Sequence, residues 1–416
     1  MTDRLFKKDF TLVVLGQIIS LFGNNILRFA LPLYILTVSE SPALFGIVSA
    51  TAFIPMIIMS PIGGIITDRV NKQRIMVVLD LLTAALIFGF IVLNQVVSLT
   101  PLVIVFLMLL YGIQGAYQPA VQASMPLLVS GEQLVPANAV INLVQSLSGL
   151  LGPVIGGMLY AAYGLLPILN VSLACFLFSG IMEMFIKIPH KKQKAVGSIL
   201  EIVKSDMSQS LRFIVKENPI LLKGIGLVLA INLFMSTMLM IGIPVVITQN
   251  LALNETYYGI TQGVMAAGGL TGGLLAGTLG RKMDIRKIHV LLLFASATIL
   301  PMSLVLFLPM DAMARYFVIT VMGFFIMAGS TLFSIQMLAF IQAFTPQEIV
   351  GKVLSCLMAF NMCAMPVGQF IYGILFERFL DASWAIILGA AILSIFVSLY
   401  SKKVFGQLPA NQEQPA

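Results

Sequence analysis

Three ionisable side chains interrupt long, mostly hydrophobic stretches of this 416-residue sequence. Asp80 and Glu183 are candidates to carry a proton, because a carboxyl group in apolar surroundings is costly as a charge and usually faces a cavity or a neighbour. Arg28 is a further candidate for proton coupling, either by binding an anionic group or by biasing a nearby carboxylate. The alternative for Arg28 is a side chain that reaches outward to a polar surface.

Uncharged polar residues recur at helical spacing in the first half of the chain. At about 100° per residue, they form three polar faces on separate apolar stretches. The first comprises Gln17, Asn24 and Arg28, the second Tyr111, Gln114, Gln118 and Gln122, and the third Asn138, Asn142 and Gln145. Three such faces favour a solvated central pathway over interhelical hydrogen bonds alone, which are worth only about 0.6–2 kcal/mol each.

The second half of the chain offers amides and hydroxyls within its spans, together with a group of methionines. Methionine adapts to ligands of different shape and is common on promiscuous binding surfaces. Together the two halves predict a cavity for a bulky amphipathic compound. Its predicted lining is Gln17, Asn24, Arg28, Tyr111, Gln114, Gln118, Asn142, Gln145, Asn232, Ser236, Gln336, Met358, Asn361 and Met362.

Composition determines which elements must position these residues. Hydrophobic residues make up 59% of the chain and charged residues only 10%, against about a quarter charged in soluble proteins. Lipid must therefore be the main solvent, and helices of about 20 apolar residues must span it. We predict an all-α integral membrane protein with twelve spans, at 10–37, 43–66, 75–96, 101–125, 138–161, 165–188, 219–248, 256–279, 288–309, 315–341, 352–376 and 383–401.

The basic residues predict the orientation of these spans. If the N-terminus is cytoplasmic, 21 Lys and Arg residues lie inside and two, Arg315 and Arg378, lie outside. Cytoplasmic loops carry such an excess. We therefore expect the protein in the cytoplasmic membrane, with both termini in the cytoplasm. The net charge of +7 is then explained by topology and anionic lipid headgroups, and no nucleic-acid partner is expected.

The chain also repeats itself. A constant offset of 213 residues places Gly64 on Gly277 and Pro153 on Pro366. Six helices in each copy make the copies parallel, which is typical of a secondary transporter with its site between two halves. The predicted organisation is an N-terminal half at 1–188, a cytoplasmic linker with an amphipathic helix at 189–218, a C-terminal half at 219–404 and a tail at 405–416.

Three motifs carry a resemblance to a known family. They are Gly64-x-x-x-Asp68-Arg69-x-Asn71-Lys72-x-Arg74 followed by Asp80, the run Gly152-Pro153-x-x-Gly156-Gly157, and Pro119-Ala120…Met125-Pro126…Ala137-Asn138. Over its whole length the chain resembles a major facilitator superfamily transporter. It is similar to the drug–proton antiporter branch that includes macrolide and siderophore exporters. The resemblance implies the major facilitator fold, with two pseudo-symmetric halves of six helices.

The resemblance also implies roles for two of the motifs. The first would form a cytoplasmic gate made of Gly64, Asp68, Arg69, Asn71, Lys72, Arg74 and Asp80. Asn71 stands where the family prefers glycine, so a left-handed backbone is expected there, and Asp80 is expected to hold one of the loop arginines. The second would form an antiporter hinge made of Gly152, Pro153, Gly156 and Gly157.

The function expected from these observations is export of a lipophilic or amphipathic small molecule by alternating access, coupled to protons. Alternatives are uptake or lysolipid flipping on the same fold, or a transport-inactive membrane sensor or scaffold. No phosphate-binding loop and no zinc or serine-hydrolase motif occurs, so neither an enzyme nor a cofactor or metal is expected. Tyr111 stands where related antiporters often carry an arginine that relays protons. The protein is expected to be a monomer surrounded by membrane lipids.

Overall fold

The computed structural model describes residues 5–94, 96–189, 207–279, 285–346 and 349–406. Every regular element among these residues is helical. This follows from the composition, since a lipid-exposed backbone must satisfy its own hydrogen bonds. The all-α membrane fold predicted from the sequence is confirmed, and the protein is a multi-pass membrane protein.

Six long helices make up the first half of the chain. Ser41 caps the second helix by accepting a hydrogen bond from the Leu44 N–H at 3.1 Å. The fifth and sixth helices are joined by Gly164 alone, whose φ of +73° suits glycine. The helices are α1 (Lys8–Ser39), α2 (Pro42–Arg69), α3 (Lys72–Leu93), α4 (Leu99–Leu128), α5 (Leu134–Tyr163) and α6 (Leu165–Met184).

Six further helical spans follow, and two of them are irregular. The first contains π-helical turns at Asn232–Ser236 and Val246–Asn250, and the third is interrupted at Thr298. The spans are α7 (Pro219–Asn250), α8 (Glu255–Leu279), α9 (Ile288–Phe307), α10 (Ala312–Ala343), α11 (Val350–Arg378) and α12 (Ser383–Phe405).

Eleven described helices are long and apolar enough to cross a membrane. The remaining long helix is α8, which is 25 residues long but contains seven glycines that contribute little hydropathy. Large apolar side chains point outward along many of these helices, and Phe178, Phe307 and Phe396 are each more than 60% exposed. Such surfaces are expected where lipid is the solvent.

The chain divides into two compact units. Unit 1 comprises Met1–Val196 with Asn254–Gly263, and unit 2 comprises Gly197–Leu253 with Val264–Ala416. In unit 1, α1 packs on α5 and α6, α2 on α4, and α3 on α4 and α6. In unit 2, α9 packs on α10 and α12, and α11 packs on α7.

The exact domain limits given above stay a prediction. Most of the proposed amphipathic linker lies outside the described residues. Its final part, 207–217, is helical and ends in a π turn at Phe213–Glu217.

Candidate functional site

A chain of hydrogen bonds links three helices of unit 1 through the buried carboxyl group of Glu183. The Tyr117 hydroxyl on α4 donates to Glu183 Oε1 on α6 at 2.7 Å. The Gln17 amide on α1 donates to the same Tyr117 hydroxyl oxygen, also at 2.7 Å. Glu183 and Gln17 are both fully buried. Tyr117 is therefore held from one side and orients the carboxyl group on the other.

The second carboxyl group, Asp80 on α3, lies beside this chain. It is 2% exposed and lines a small cavity together with Ser20, Asn24 and Tyr117, large enough for about one water molecule. A Cβ placed on Gly180 of α6 would stand 3.6 Å from the Asp80 Cβ. Asp80 therefore lies against α6 one helical turn from Glu183, because residues three apart share a helix face.

This carboxyl cluster, which we define as Gln17, Ser20, Asn24, Asp80, Tyr117 and Glu183, is rich in acceptors. Five of its buried oxygen atoms have no hydrogen-bond partner within the described protein: Gln17 Oε1, Ser20 Oγ, Asn24 Oδ1, Asp80 Oδ2 and Glu183 Oε2. Neither carboxyl group forms an ion pair with a described cation. Unpaired buried acceptors are unfavourable until something donates hydrogen to them. The arrangement can therefore bind protons.

Arg28 lies further along α1 and stacks on one aromatic ring. Its guanidinium carbon lies 4.0 Å from the centroid of the Tyr111 ring on α4, a cation–π contact. Phe53 on α2 meets the same ring edge-on, with 5.1 Å between centroids. Tyr111 is 5% exposed and Phe53 9%. Arg28 of α1 thus packs on Tyr111 of α4, and Phe53 of α2 supports that ring.

The remaining predicted cavity residues of unit 1 lie on α4 and α5. Gln145 donates to Gln118 Oε1 at 3.3 Å, which joins the polar faces of these two helices. Gln114 lines the small cavity beside Asp80. Asn142 is exposed. Gln17, in contrast, is committed to Tyr117 inside the carboxyl cluster.

In unit 2, three of the predicted residues come together. Asn232 donates to Asn361 Oδ1 at 3.3 Å and accepts from the Ser236 hydroxyl at 3.1 Å. Asn232 and Ser236 bound the first π turn of α7. The other predicted residues lie apart from this network: Gln336 is buried in α10, Met358 on α11 is 63% exposed, and Met362 is partly buried.

The predicted hinge lies where α5 meets two other helices within unit 1. A Cβ on Gly152 would stand 2.6 Å from the Asn25 Cβ of α1, and one on Gly156 would stand 3.2 Å from a ring carbon of Phe29. A Cβ on Gly157 would stand 2.9 Å from the Gly259 Cα at the start of α8. Glycine at these positions permits close backbone approach.

The predicted gate lies at the α2–α3 connection, and two expectations there are wrong. Asn71 has φ −59° rather than a left-handed backbone, and its side chain caps α3 by accepting from the Gln73 N–H at 3.0 Å. Asp80 holds no arginine of the loop in the described structure, because it faces α6 two turns into α3. Arg69 and Arg74 are exposed, and Lys72 donates to the Thr67 carbonyl at 3.2 Å.

The structure says less about two other residues of the predicted gate. Gly64 is in α2, where a Cβ would meet nothing within 4 Å. Asp68 also belongs to α2, but its side chain lies outside the described residues.

Sequence reasoning missed Tyr117, Ser20 and Phe53. Of these three residues, Tyr117 could have been predicted, because it stands three residues after Gln114 and borders the polar face of α4. Its partners are 66 and 100 residues away in sequence. A single sequence holds no signal that pairs such distant residues.

Comparison with known proteins decides the family. A family model described as "Transmembrane secretion effector" matches residues 4–415. The chain belongs to this family, and thus to the major facilitator superfamily. It is 26% identical to the "Macrolide efflux protein A" of Streptococcus pyogenes over 400 residues, which is 94% of this chain and 95% of that protein. The relatives are transporters, so the expectation that the chain is not an enzyme is confirmed.

The chain is also similar to a lipid transporter and to a transporter of known structure. The chain is 31% identical to the "Lysophospholipid transporter LplT" of Escherichia fergusonii over 210 residues, 49% of each protein. It also resembles the crystal structure of a D-xylose-proton symporter, with a TM-score of 0.73 over 98% of this chain and 99% of that one at 12% identity. The last similarity shows the fold alone, and it confirms the major facilitator architecture.

Proposed function

We propose that this transporter exports a lipophilic or amphipathic small molecule and is driven by protons bound at the carboxyl cluster. The observation that carries the proposal is the burial of Asp80 and Glu183 one helical turn apart without a described cation beside either. Two carboxylates in one buried site repel each other and lose their hydration. Binding a proton removes both costs, and releasing it requires that water reach the site.

Alternating access supplies that change in hydration. In the described conformation the cluster lines a cavity the size of about one water molecule. A second conformation that admits water to Asp80 and Glu183 would favour release of the proton. Tyr117 can pass hydrogen-bond rearrangements between Gln17 and Glu183, because its hydroxyl both donates and accepts.

Three observations support export by a protein in the cytoplasmic membrane. The excess of basic residues on one side predicts cytoplasmic termini. The macrolide efflux relative aligns over nearly the full chain. Gly157 of the proposed hinge lies in close backbone contact with the start of α8. We also propose that the protein works as a monomer.

The test is compound accumulation in cells with and without the protein, with and without an uncoupler. The proposal expects lower accumulation of some amphipathic compounds in expressing cells, and loss of the difference on adding the uncoupler. Unchanged accumulation across a broad panel would contradict export. Export that persists with the uncoupler would contradict proton coupling alone.

The main alternative is movement of lysolipids across the membrane. The observation that favours it is the 31% identity to a lysophospholipid transporter over half of the chain. Transfer of a fluorescent lysolipid between leaflets of proteoliposomes, without export of other amphiphiles, would select this alternative.

A further inference from the structure

We propose that Arg28 is an anion-binding residue that makes this transporter prefer amphiphiles carrying a carboxylate or a phosphate. The inference rests on the proposed transport function and adds the chemical class of the substrate. It starts from a guanidinium that sits inside unit 1, is fixed by a ring and has no acceptor among the described residues.

The depth of Arg28 argues against an outward-reaching side chain. Arg28 is eleven residues from the end of α1 at Ser39, which corresponds to about 16 Å of helix. Tyr111, which the guanidinium covers, is twelve residues from the start of α4 at Leu99, or about 18 Å. Arg28 is also twenty residues, or about 30 Å, from the start of α1 at Lys8, so it lies in the second half of α1, about three turns before the helix ends. Its stacking on Tyr111 holds the guanidinium at the level of that residue.

The hydrogen-bonding capacity of Arg28 is unused. A guanidinium has five N–H donors, yet Arg28 has no hydrogen bond and no ion pair within the described part of the chain. The guanidinium lies over the face of Tyr111, a contact that uses its plane and none of its N–H donors. Stacking fixes the plane of the group, and its N–H edge matches a carboxylate or phosphate in a two-pronged geometry.

The carboxyl cluster does not neutralise Arg28. Asn24, one turn away on α1, and Gln114, about one turn from Tyr111 on α4, line the cavity that contains Asp80. Neither Asp80 nor Glu183 reaches the 4.0 Å limit of an ion pair with Arg28. Arg28 lies over the ring of Tyr111, and Phe53 packs edge-on against that same ring.

These surroundings select for charge and shape together. Charge–charge interactions are stronger at low dielectric than in water, so an anion gains most at this depth. The apolar rings beside the guanidinium suit an alkyl or aromatic body. A cationic compound would meet a like charge and be disfavoured.

Binding to the purified full-length protein tests the inference independently of transport. The probes are a fluorescent C12 carboxylate and its methyl ester, which differ only in the charge. We expect about tenfold tighter binding of the acid, a difference of one strong ionic contact. In Arg28→Gln we expect this preference to vanish while ester binding is unchanged. In Arg28→Lys, which keeps the charge but not the fork of donors, we expect part of the preference to remain.

The controls separate this inference from the proposed function. Glu183→Gln should keep the acid preference in binding even though its transport is lost. Unchanged ester binding also shows that Arg28→Gln is folded. Equal binding of acid and ester by the wild-type protein, or an undiminished acid preference in Arg28→Gln, would overturn the inference. An anionic lysolipid as a third probe identifies the source: Arg28-dependent binding points to lipids, and its absence points to other organic acids.

Discussion

The two halves of the chain share an architecture but not a chemistry. The offset of 213 residues that relates the halves carries Asp80 to Leu293 and Glu183 to Phe396. Phe396 is 69% exposed, whereas Glu183 is fully buried. Arg28 likewise falls on Ile241. The repeat therefore preserves the helices, while the buried carboxyl groups among the described residues belong to unit 1 and unit 2 contributes an amide network.

The strongest test of this difference between the two halves is to remove the carboxyl group of Glu183. Glu183→Gln keeps the size of the side chain and its bond with Tyr117 but cannot exchange a proton. We expect loss of uncoupler-sensitive export and a retained ability to bind substrate. Proton uptake into proteoliposomes during substrate exchange measures the effect.

A control for placing an amide inside an apolar helix lies in the other half of the chain. Leu293→Gln places an amide at the position related to Asp80 and should leave proton coupling intact. Coupled export by Glu183→Gln at the wild-type rate would remove Glu183 from the mechanism and shift attention to Asp80.

A second prediction concerns the hinge in unit 1. Gly157→Ala puts a methyl group 2.9 Å from the Gly259 Cα, where only backbone can yield. Overpacking of this kind costs about 1–3 kcal/mol, and we expect a clear fall in transport rate. Gly149→Ala, on the same helix but with open space around the new methyl group, should transport normally. Equal rates for both variants would argue against a close sliding contact at Gly157.

The gate offers a third test because only one copy of the repeat carries the acid. Asp68 corresponds to Arg281 at the 213-residue offset. We expect Asp68→Asn to slow export several-fold by weakening the state that is closed to the cytoplasm, while membrane insertion stays normal. Accessibility of single cysteines introduced near the α2–α3 connection reports the closure. Unchanged transport together with unchanged accessibility would contradict a gating role.

The smallest effect is expected in unit 2. Asn232→Ala removes the hydrogen bonds to Asn361 and Ser236. One hydrogen bond contributes about 1 kcal/mol, so the apparent KM should rise about fivefold with the proton stoichiometry unchanged. A change in stoichiometry would show that unit 2 takes part in coupling.

Sequence patterns predicted most of this fold because lipid imposes a simple rule. Each run of about 20 apolar residues had to form a helix, and even the glycine-rich α8 was found at 256–279, close to Glu255–Leu279. The π turns of α7 were not predicted, because they change the hydrogen-bond register without changing composition. The prediction of a left-handed backbone at Asn71 was wrong for a local reason, because asparagine suits both a left-handed turn and a helix cap.

The sequence predicted individual residues of the site but not the contacts between them. Arg28, Asp80 and Glu183 stand out because charge is rare inside apolar stretches. Their partners did not stand out: the contact of Arg28 with Tyr111 and that of Glu183 with Tyr117 depend on how α1, α4 and α6 pack. Which residues face each other across helices is decided by side-chain packing over the whole unit.

The single-residue connection at Gly164 has a mechanical consequence. One residue between two long helices leaves almost no slack, so the ends of α5 and α6 that meet at Gly164 must move together. The α5 arm touches α1 and the start of α8 through its glycines, and the α6 arm carries Glu183 near its far end. A tilt of α5 at its glycines would therefore carry the connected end of α6 with it and shift the helix that holds the carboxyl group of Glu183.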